Sequence, residues 1–244
     1  MAAKKEHNYV QADGKVKEDA EKIKTDYKKA NAVGNPVPLR IGAVVCWVLA
    51  LLCEIFALKA FQGYPVIKSG ISSDAQMVGF LVIDLILVIV AAQFWKKANH
   101  IKPMSEKNAA LFWLWNNLGV IMCAVCFVPF VILVLANKEA DGKTKKLALI
   151  VAIVACLIGG VASYDFNPVS QEQLTAAENV LGEQTVYWAP HGKVYHTHDD
   201  CQALNNTDTL TYGTVAEAVA ANRTRLCSFC AKKDDITGVV TDGE

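Results

Sequence analysis

Four apolar runs, at 41–61, 77–95, 111–136 and 147–164, constrain this chain of 244 residues more than any other feature. A helix needs about 20 apolar residues to cross roughly 30 Å of hydrocarbon, and each run is of that order. None shows the one-sided apolar stripe of a helix on a soluble protein. The remaining composition agrees: 53% of residues are hydrophobic and 20% charged, too little charge to coat a soluble domain of this size. Residues 1–40 are polar, with no apolar core and no small-residue cleavage site, so no signal peptide is expected. The chain reads as a multi-pass protein of the cell membrane whose first partner is the lipid bilayer.

Charge divides unevenly along it. Residues 1–164 carry 19 Lys and Arg against 12 Asp and Glu, whereas residues 165–244 carry 5 against 12. Two parts in different surroundings follow, which excludes a single soluble enzyme domain and a simple nucleic-acid binder. Eight lysines and Arg40 precede the first run, and Lys96, Lys97, Lys102 and Lys107 lie between the second and third. The positive-inside bias puts both segments in the cytoplasm, and four crossings bring the C-terminal part back there. Four lysines at 137–146 oppose that arrangement, and residues 165–192 hold no Lys or Arg. The competing arrangement makes 111–136 re-entrant, broken near Asn116 and Asn117 or at Pro129, with the last domain outside.

Residues 1–38 form a polar arm. Val16, Ala20, Ile23, Tyr27 and Ala30 space out a thin apolar stripe, which predicts a short amphipathic helix ended by Gly34 and Pro36. Within the membrane domain, 39–164, the fourth run carries rows of small residues. Ala148, Ala152, Cys156 and Gly160 form one row, and Ala155, Gly159 and Ser163 the other. Such rows let a second helix approach closely, either within the chain or from another copy in a homo-oligomer. After the membrane, Ser170 and Gln173 form a capping box that opens a short helix stopped by Gly182, read as part of a stalk at 165–185.

Glu54 and Asp84 are the only acids inside the apolar runs. Burying one costs roughly 3 kcal/mol on insertion scales, so each is a candidate functional residue. Each lies seven residues from the loop joining its run to the other, about 10 Å below one interface at a rise of 1.5 Å per residue. Two carboxylates at one level could share a proton or hold a cation, the basis of a small transporter. They could equally be protonated and hydrogen-bonded to Asn116, Asn117 or a backbone carbonyl, or snorkel to the loop.

The most specific chemistry lies at 186–232. Val186, Tyr187 and Trp188 face Lys193, Val194 and Tyr195 across a turn at Pro190, His191 and Gly192, which reads as a hairpin. A third strand follows at about 207–212, and Thr214 with Glu217 caps a helix. His196, His198 and Cys201 form one run; Cys227 and Cys230, in the spacing C-x-x-C, form another. A C-x-x-C turn grips an ion with two thiolates, and a remote His and Cys complete a tetrahedron. His196 is the preferred nitrogen, with His198 as alternate ligand or as its support. Soft thiolates in a closed shell suit Zn2+, one structural ion per chain. Three cysteines are an odd number for disulfides, and so short a domain needs a staple. Residues 233–244 read as an acidic tail. Arg223, Arg225, Lys232 and Lys233 suggest a small basic patch, but the excess of acids over bases across 165–244 argues against nucleic acid.

Val194, Tyr195, His196, Cys201, Leu204, Glu217, Ala218, Cys227 and Cys230 together resemble a small bacterial C-terminal zinc-binding module. It occurs on secreted, nuclease-like and membrane proteins, including DNA-uptake proteins of the metallo-β-lactamase type. It is distantly similar to the metal-binding domain of the Ada DNA-repair proteins. The resemblance covers 186–232 alone and implies His196, Cys201, Cys227 and Cys230 as zinc ligands; it implies no reaction. The fold class expected is mainly α, a four-helix transmembrane bundle followed by a small α+β zinc-stabilised domain. The function expected is display of a docking or scaffold module for another protein rather than catalysis. The alternative is a transporter or ion-coupled protein using Glu54 and Asp84, with the tail as its regulator.

Overall fold

The computed structural model describes residues 7–13, 16–17, 34–67 and 70–243. The chain is mainly helical, with four helices long and apolar enough to cross a membrane and a small region of sheet. It divides into two compact units. One comprises the described residues of Val37–Lys96 and Trp113–Phe166; the other comprises the described residues of Met1–Pro36, Lys97–Phe112 and Asn167–Glu244.

The first unit is the membrane bundle. It is built from α1 (Pro36–Phe61), α2 (Ser73–Ile101), the short α3 (Ala109–Asn116), α4 (Leu118–Ala136) and α5 (Gly142–Ser163). The third apolar run is therefore two helices rather than one. Asn117 takes φ −98° and ψ 10° between them, and its side-chain amide donates to the Trp113 carbonyl at 2.9 Å. Backbone bonding continues through the break, from Asn117 N–H to Trp113 and from Ile121 N–H to Asn117, both at 3.0 Å. Helix α4 alone has the length to cross, and Pro129 lies within it without ending it.

Close packing depends on missing side chains. A Cβ added to Gly159 would lie 2.8 Å from Cys123 Sγ, and one added to Gly119 would lie 2.9 Å from Ala92 Cβ. Ala155, Gly159 and Ser163, the second row on α5, are all buried and pack inside the chain, as are Ala148 and Ala152 of the first row, whereas Gly160 faces open space. Asp141 caps α5 by accepting from Lys143 and Thr144 N–H. The Trp95 indole donates to the Trp115 carbonyl at 2.9 Å, and the Arg40 guanidinium stands 5.4 Å from the Trp115 ring. Large apolar side chains such as Ile132, Ile150, Leu157 and Val161 are exposed, as hydrocarbon-facing residues must be.

The second unit is a small α+β domain. Its main sheet runs β2–β1–β5–β3, from β1 (Asn8–Gln11), β2 (Val16–Lys17), β3 (Val186–Trp188) and β5 (Thr209–Gly213). Strand β1 lies parallel to β5, with Tyr9 opposite Leu210, and β3 lies antiparallel to it. A second sheet pairs β4 (Val194–Tyr195) in parallel with β6 (Arg225–Leu226). Around these stand α6 (Gln171–Leu181), α7 (Val215–Ala220) and α8 (Ser228–Lys233). Val169, Leu181, Val186, Trp188, Leu210, Leu226 and Val239 fill the core. Both expected capping boxes are present, Ser170 with Gln173 and Thr214 with Glu217. Glycine is required at 213, where a Cβ would lie 2.5 Å from the capping carboxylate of Glu217.

Several boundaries differ from those the sequence suggests. The expected hairpin keeps only one antiparallel bridge, Tyr187 with His196, because its two strands enter different sheets. The third strand is Thr209–Gly213. The stalk is no spacer: Ala177 and Leu181 of α6 belong to the core. Residues 233–243 of the expected acidic tail pack onto this unit, since Val239 is buried and Leu226 N–H donates to the Val240 carbonyl at 3.0 Å. The loop before α3 joins this unit too. Gln171 N–H donates to the Met104 carbonyl at 3.1 Å, and Glu172 accepts from the Ser105 hydroxyl and from Glu106 N–H. Val16, assigned by the sequence pattern to a helical stripe, pairs with Val10 in a strand. The rest of that stripe, from Ala20 to Ala30, lies outside the described residues.

Candidate metal centre

The two sheets and two short helices converge on four side chains. His196 follows β4, and its backbone exchanges two hydrogen bonds with Tyr187, at 2.7 and 2.8 Å, which fixes where the ring starts. Cys201 precedes the 3-10 turn Gln202–Leu204, and Cys227 precedes α8, which carries Cys230 in its first turn. Cys227 N–H donates to the Tyr195 carbonyl at 2.9 Å, so the C-x-x-C turn is bonded directly to the strand that presents His196.

One ligand atom from each of His196, Cys201, Cys227 and Cys230 lies within 4.8 Å of every other, and all four residues are buried. The group could hold a metal ion. Cys201 Sγ is 3.9 Å from Cys227 Sγ, and Cys230 Sγ is 3.8 Å from His196 Nδ1. Tetrahedral bonds of about 2.3 Å to sulfur and 2.0 Å to nitrogen require such edges to be about 3.8 and 3.5 Å. A disulfide would need about 2.05 Å, and all three cysteines are free.

The surroundings suit a cation as well as the distances do. Burial pushes the His196 imidazole down to about 4, which leaves its nitrogen neutral and able to donate a lone pair. Burial likewise pushes the Cys201 thiol up to about 12 and raises that of Cys227. A bound cation reverses that balance by stabilising thiolates. The backbone amides of Ala203, beside Cys201, and of Phe229 and Cys230, beside Cys227, act in the opposite direction to burial and favour the thiolates. These are the donors that a thiolate bound to metal uses to spread its charge.

His198 stands outside the four. Its Nε2 is 2.6 Å from Asp234 Oδ1, and the other oxygen of Asp234 accepts from the Thr197 hydroxyl at 2.6 Å. Those two bonds tie the 196–201 loop to the residue that ends α8. Asp242, which gave no signal in the sequence, lies close enough to act electrostatically on His196 and accepts from Ser228 N–H at 2.7 Å. Two of the four cations of the expected basic patch have partners. Arg223 donates to the carbonyls of Ala189, Pro190 and Ala221, and Lys233 lies 3.4 Å from Asp200. Beside the C-x-x-C turn is a cleft of about 260 Å³ lined by His198, Asp200, Gln202, Phe229 and Lys233, in which the Phe229 side chain is exposed.

The intramembrane polar residues do not form one group. Asn117 is engaged at the α3–α4 break, and neither oxygen of the fully buried Asp84 has a hydrogen-bond partner. Neither Asn116 nor Asn117, the partners considered for it, is bonded to it. No protein-family model matches the chain, and no curated protein or solved structure matches it either.

Proposed function

We propose that this is a four-pass membrane protein whose C-terminal domain is held together by one structural Zn2+ and serves as a docking or scaffold module for another protein. The observation that carries the reading is the convergence of one nitrogen and three sulfurs at tetrahedral spacing. Zinc is the ion that suits three thiolates and an imidazole in a buried, closed shell. Four protein ligands leave no open position for substrate or water, which favours a structural role over hydrolysis. The ligand set and its spacing also support kinship with the small bacterial zinc-binding module described above. The exposed Phe229, in a cleft against a rigid metal-held turn, is the surface offered to a partner.

The same reading puts N-terminus, 97–112 loop and zinc domain together in the cytoplasm. Its support is the pairing of β1 with β5 and of Met104 with Ser170, contacts that favour one side of the membrane for all three segments. Lysine bias makes that side the inner one. An even number of crossings is then necessary, which favours α4 as a full span over a re-entrant one.

Elemental analysis of the full-length protein tests the proposal. One zinc per chain is expected, falling to none in the Cys227→Ser/Cys230→Ser variant. Folded protein without zinc would overturn the assignment. For sidedness, a cysteine introduced at Val180 should react with a membrane-impermeant maleimide only after cells are opened.

A further inference from the structure

Two polar stretches of the C-terminal domain line one cleft of about 480 Å³. Gly182, at φ 58°, ends α6 and turns the chain toward β3, which puts Glu183 and Gln184 on one side of the cleft. His198 and Asp199, just past the Tyr187–His196 bridge, supply the other side, with half-buried Tyr187 between. The volume lies within the roughly 300–1,000 Å³ of sites that take a small ligand or a partner's side chains.

The lining is anionic. Glu183 has no ion-pair partner among the described residues. The Tyr9 hydroxyl donates to Asp199 at 2.6 Å, and a neutral phenol leaves that carboxylate its charge. His198 stands 2.6 Å from Asp234, so a charged imidazole is balanced there and a neutral one leaves Asp234 negative. Among the described residues, no Lys or Arg lines the cleft.

An anionic cleft calls for a cation, and the geometry narrows which kind. Among the described residues, the one set of three or more potential ligands close enough to share an ion is His196, Cys201, Cys227 and Cys230; Glu183, His198 and Asp199 are not such a set. Carboxylates spaced around a phenol ring suit a broad, planar cation instead. A guanidinium forks to carboxylates and lies on an aromatic face. The cleft also continues the surface that carries the exposed Phe229, because His198 lines both. Building on the docking reading above, we propose that the partner is a protein with a basic segment that places an arginine side chain in this cleft and covers Phe229 beside it. The excess of acids over bases across 165–244, 12 against 5, draws such a segment in.

The test uses full-length, zinc-loaded protein in phosphatidylcholine nanodiscs, whose zwitterionic lipid does not attract a cationic probe. The probe is a fluorescein-labelled hexapeptide of glycines with two central arginines, read by anisotropy; its twin carries citrulline, the uncharged isostere, in their place. Saturable binding of the arginine peptide is expected, at least about tenfold tighter than that of its twin, since each charged hydrogen bond lost costs about 1.5–3 kcal/mol. Glu183→Gln should weaken it by about two- to fivefold, the range of an exposed charge pair. Asp199→Asn should weaken it at least as much, with zinc content and helicity reporting folding. Glu178→Gln removes the same charge from an exposed position outside the cleft and should change nothing. Equal binding of the two peptides, or equal responses to Glu178→Gln and Glu183→Gln, overturns the proposal. Photo-crosslinking residues at Thr185 and at Phe229, used in cells, separate it from the docking reading. Capture of one protein at both positions, weakened by Glu183→Gln, supports it. Capture at Phe229 alone leaves the docking module standing and overturns the arginine cleft; capture at neither contradicts docking itself.

Discussion

The bundle and the C-terminal domain are held together in different ways. In the bundle, apolar side chains face outward as well as inward, and specificity comes from closeness: Gly159 against Cys123, Gly119 against Ala92. Lipid does the burying. In the C-terminal domain the core is assembled from elements distant in sequence, and four donors gathered from separate segments could tie those elements together through one ion. The difference teaches where each unit is fragile. The bundle is vulnerable to added volume, and the domain to a lost ligand.

The largest effect expected on that comparison is loss of the ion. Structural zinc contributes on the order of 10–16 kcal/mol, as much as the whole stability of an ordinary domain. Cys227→Ser/Cys230→Ser should therefore unfold the C-terminal domain while the helices still insert. Trp188 fluorescence and limited proteolysis read the first; membrane extraction reads the second. If the domain kept its protease resistance without metal, the contrast between the units would fail.

Next comes Gly159→Ala. The new Cβ meets Cys123 Sγ at 2.8 Å, an overpacking of about 1–3 kcal/mol, seen as a lower melting temperature in detergent. Zinc content should not change. Adding Cys123→Ala should recover part of the loss, because the two positions are in contact.

Tyr9→Phe is smaller. The Tyr9 hydroxyl donates to Asp199 at 2.6 Å, and removing it should cost about 1.5 kcal/mol, read as faster amide exchange in β1 and β5. The bundle should not respond. The smallest effect concerns Glu172, whose carboxyl is held below the usual range by bonds from the Ser105 hydroxyl and Glu106 N–H. A depressed folded pKa means that the contribution is present above the ordinary value near 4.3 and is lost as pH falls through the folded one. Protection of Glu106 N–H should decline in that acid window, and Glu172→Gln should flatten the decline.

The sequence made the two units unequally legible. Apolar runs of membrane length declare themselves locally, and so does C-x-x-C, whose two ligands lie one turn apart. Strand β1 left no such mark. Four residues in a polar arm pair with β5 some 200 positions on, and strand pairing depends on the partner more than on local propensity. Polar neighbours make the residues around Ala177 and Val239 look like stalk and tail; their burial comes from elements distant in sequence. Asn116 and Asn117 did mark the break in the third run, since asparagine offers the backbone a competing partner, here through the Trp113 carbonyl. His198 could not be told from His196 by spacing alone. What separates them is Asp234, which is 36 residues from His198 in the chain and 2.6 Å from it in space.

Zinc K-edge absorption of the full-length protein measures the central arrangement atom by atom. Three sulfurs at about 2.3 Å and one nitrogen at about 2.0 Å are the expected shell. A shell dominated by oxygen, or Cys201 and Cys227 found joined as a disulfide, would contradict it.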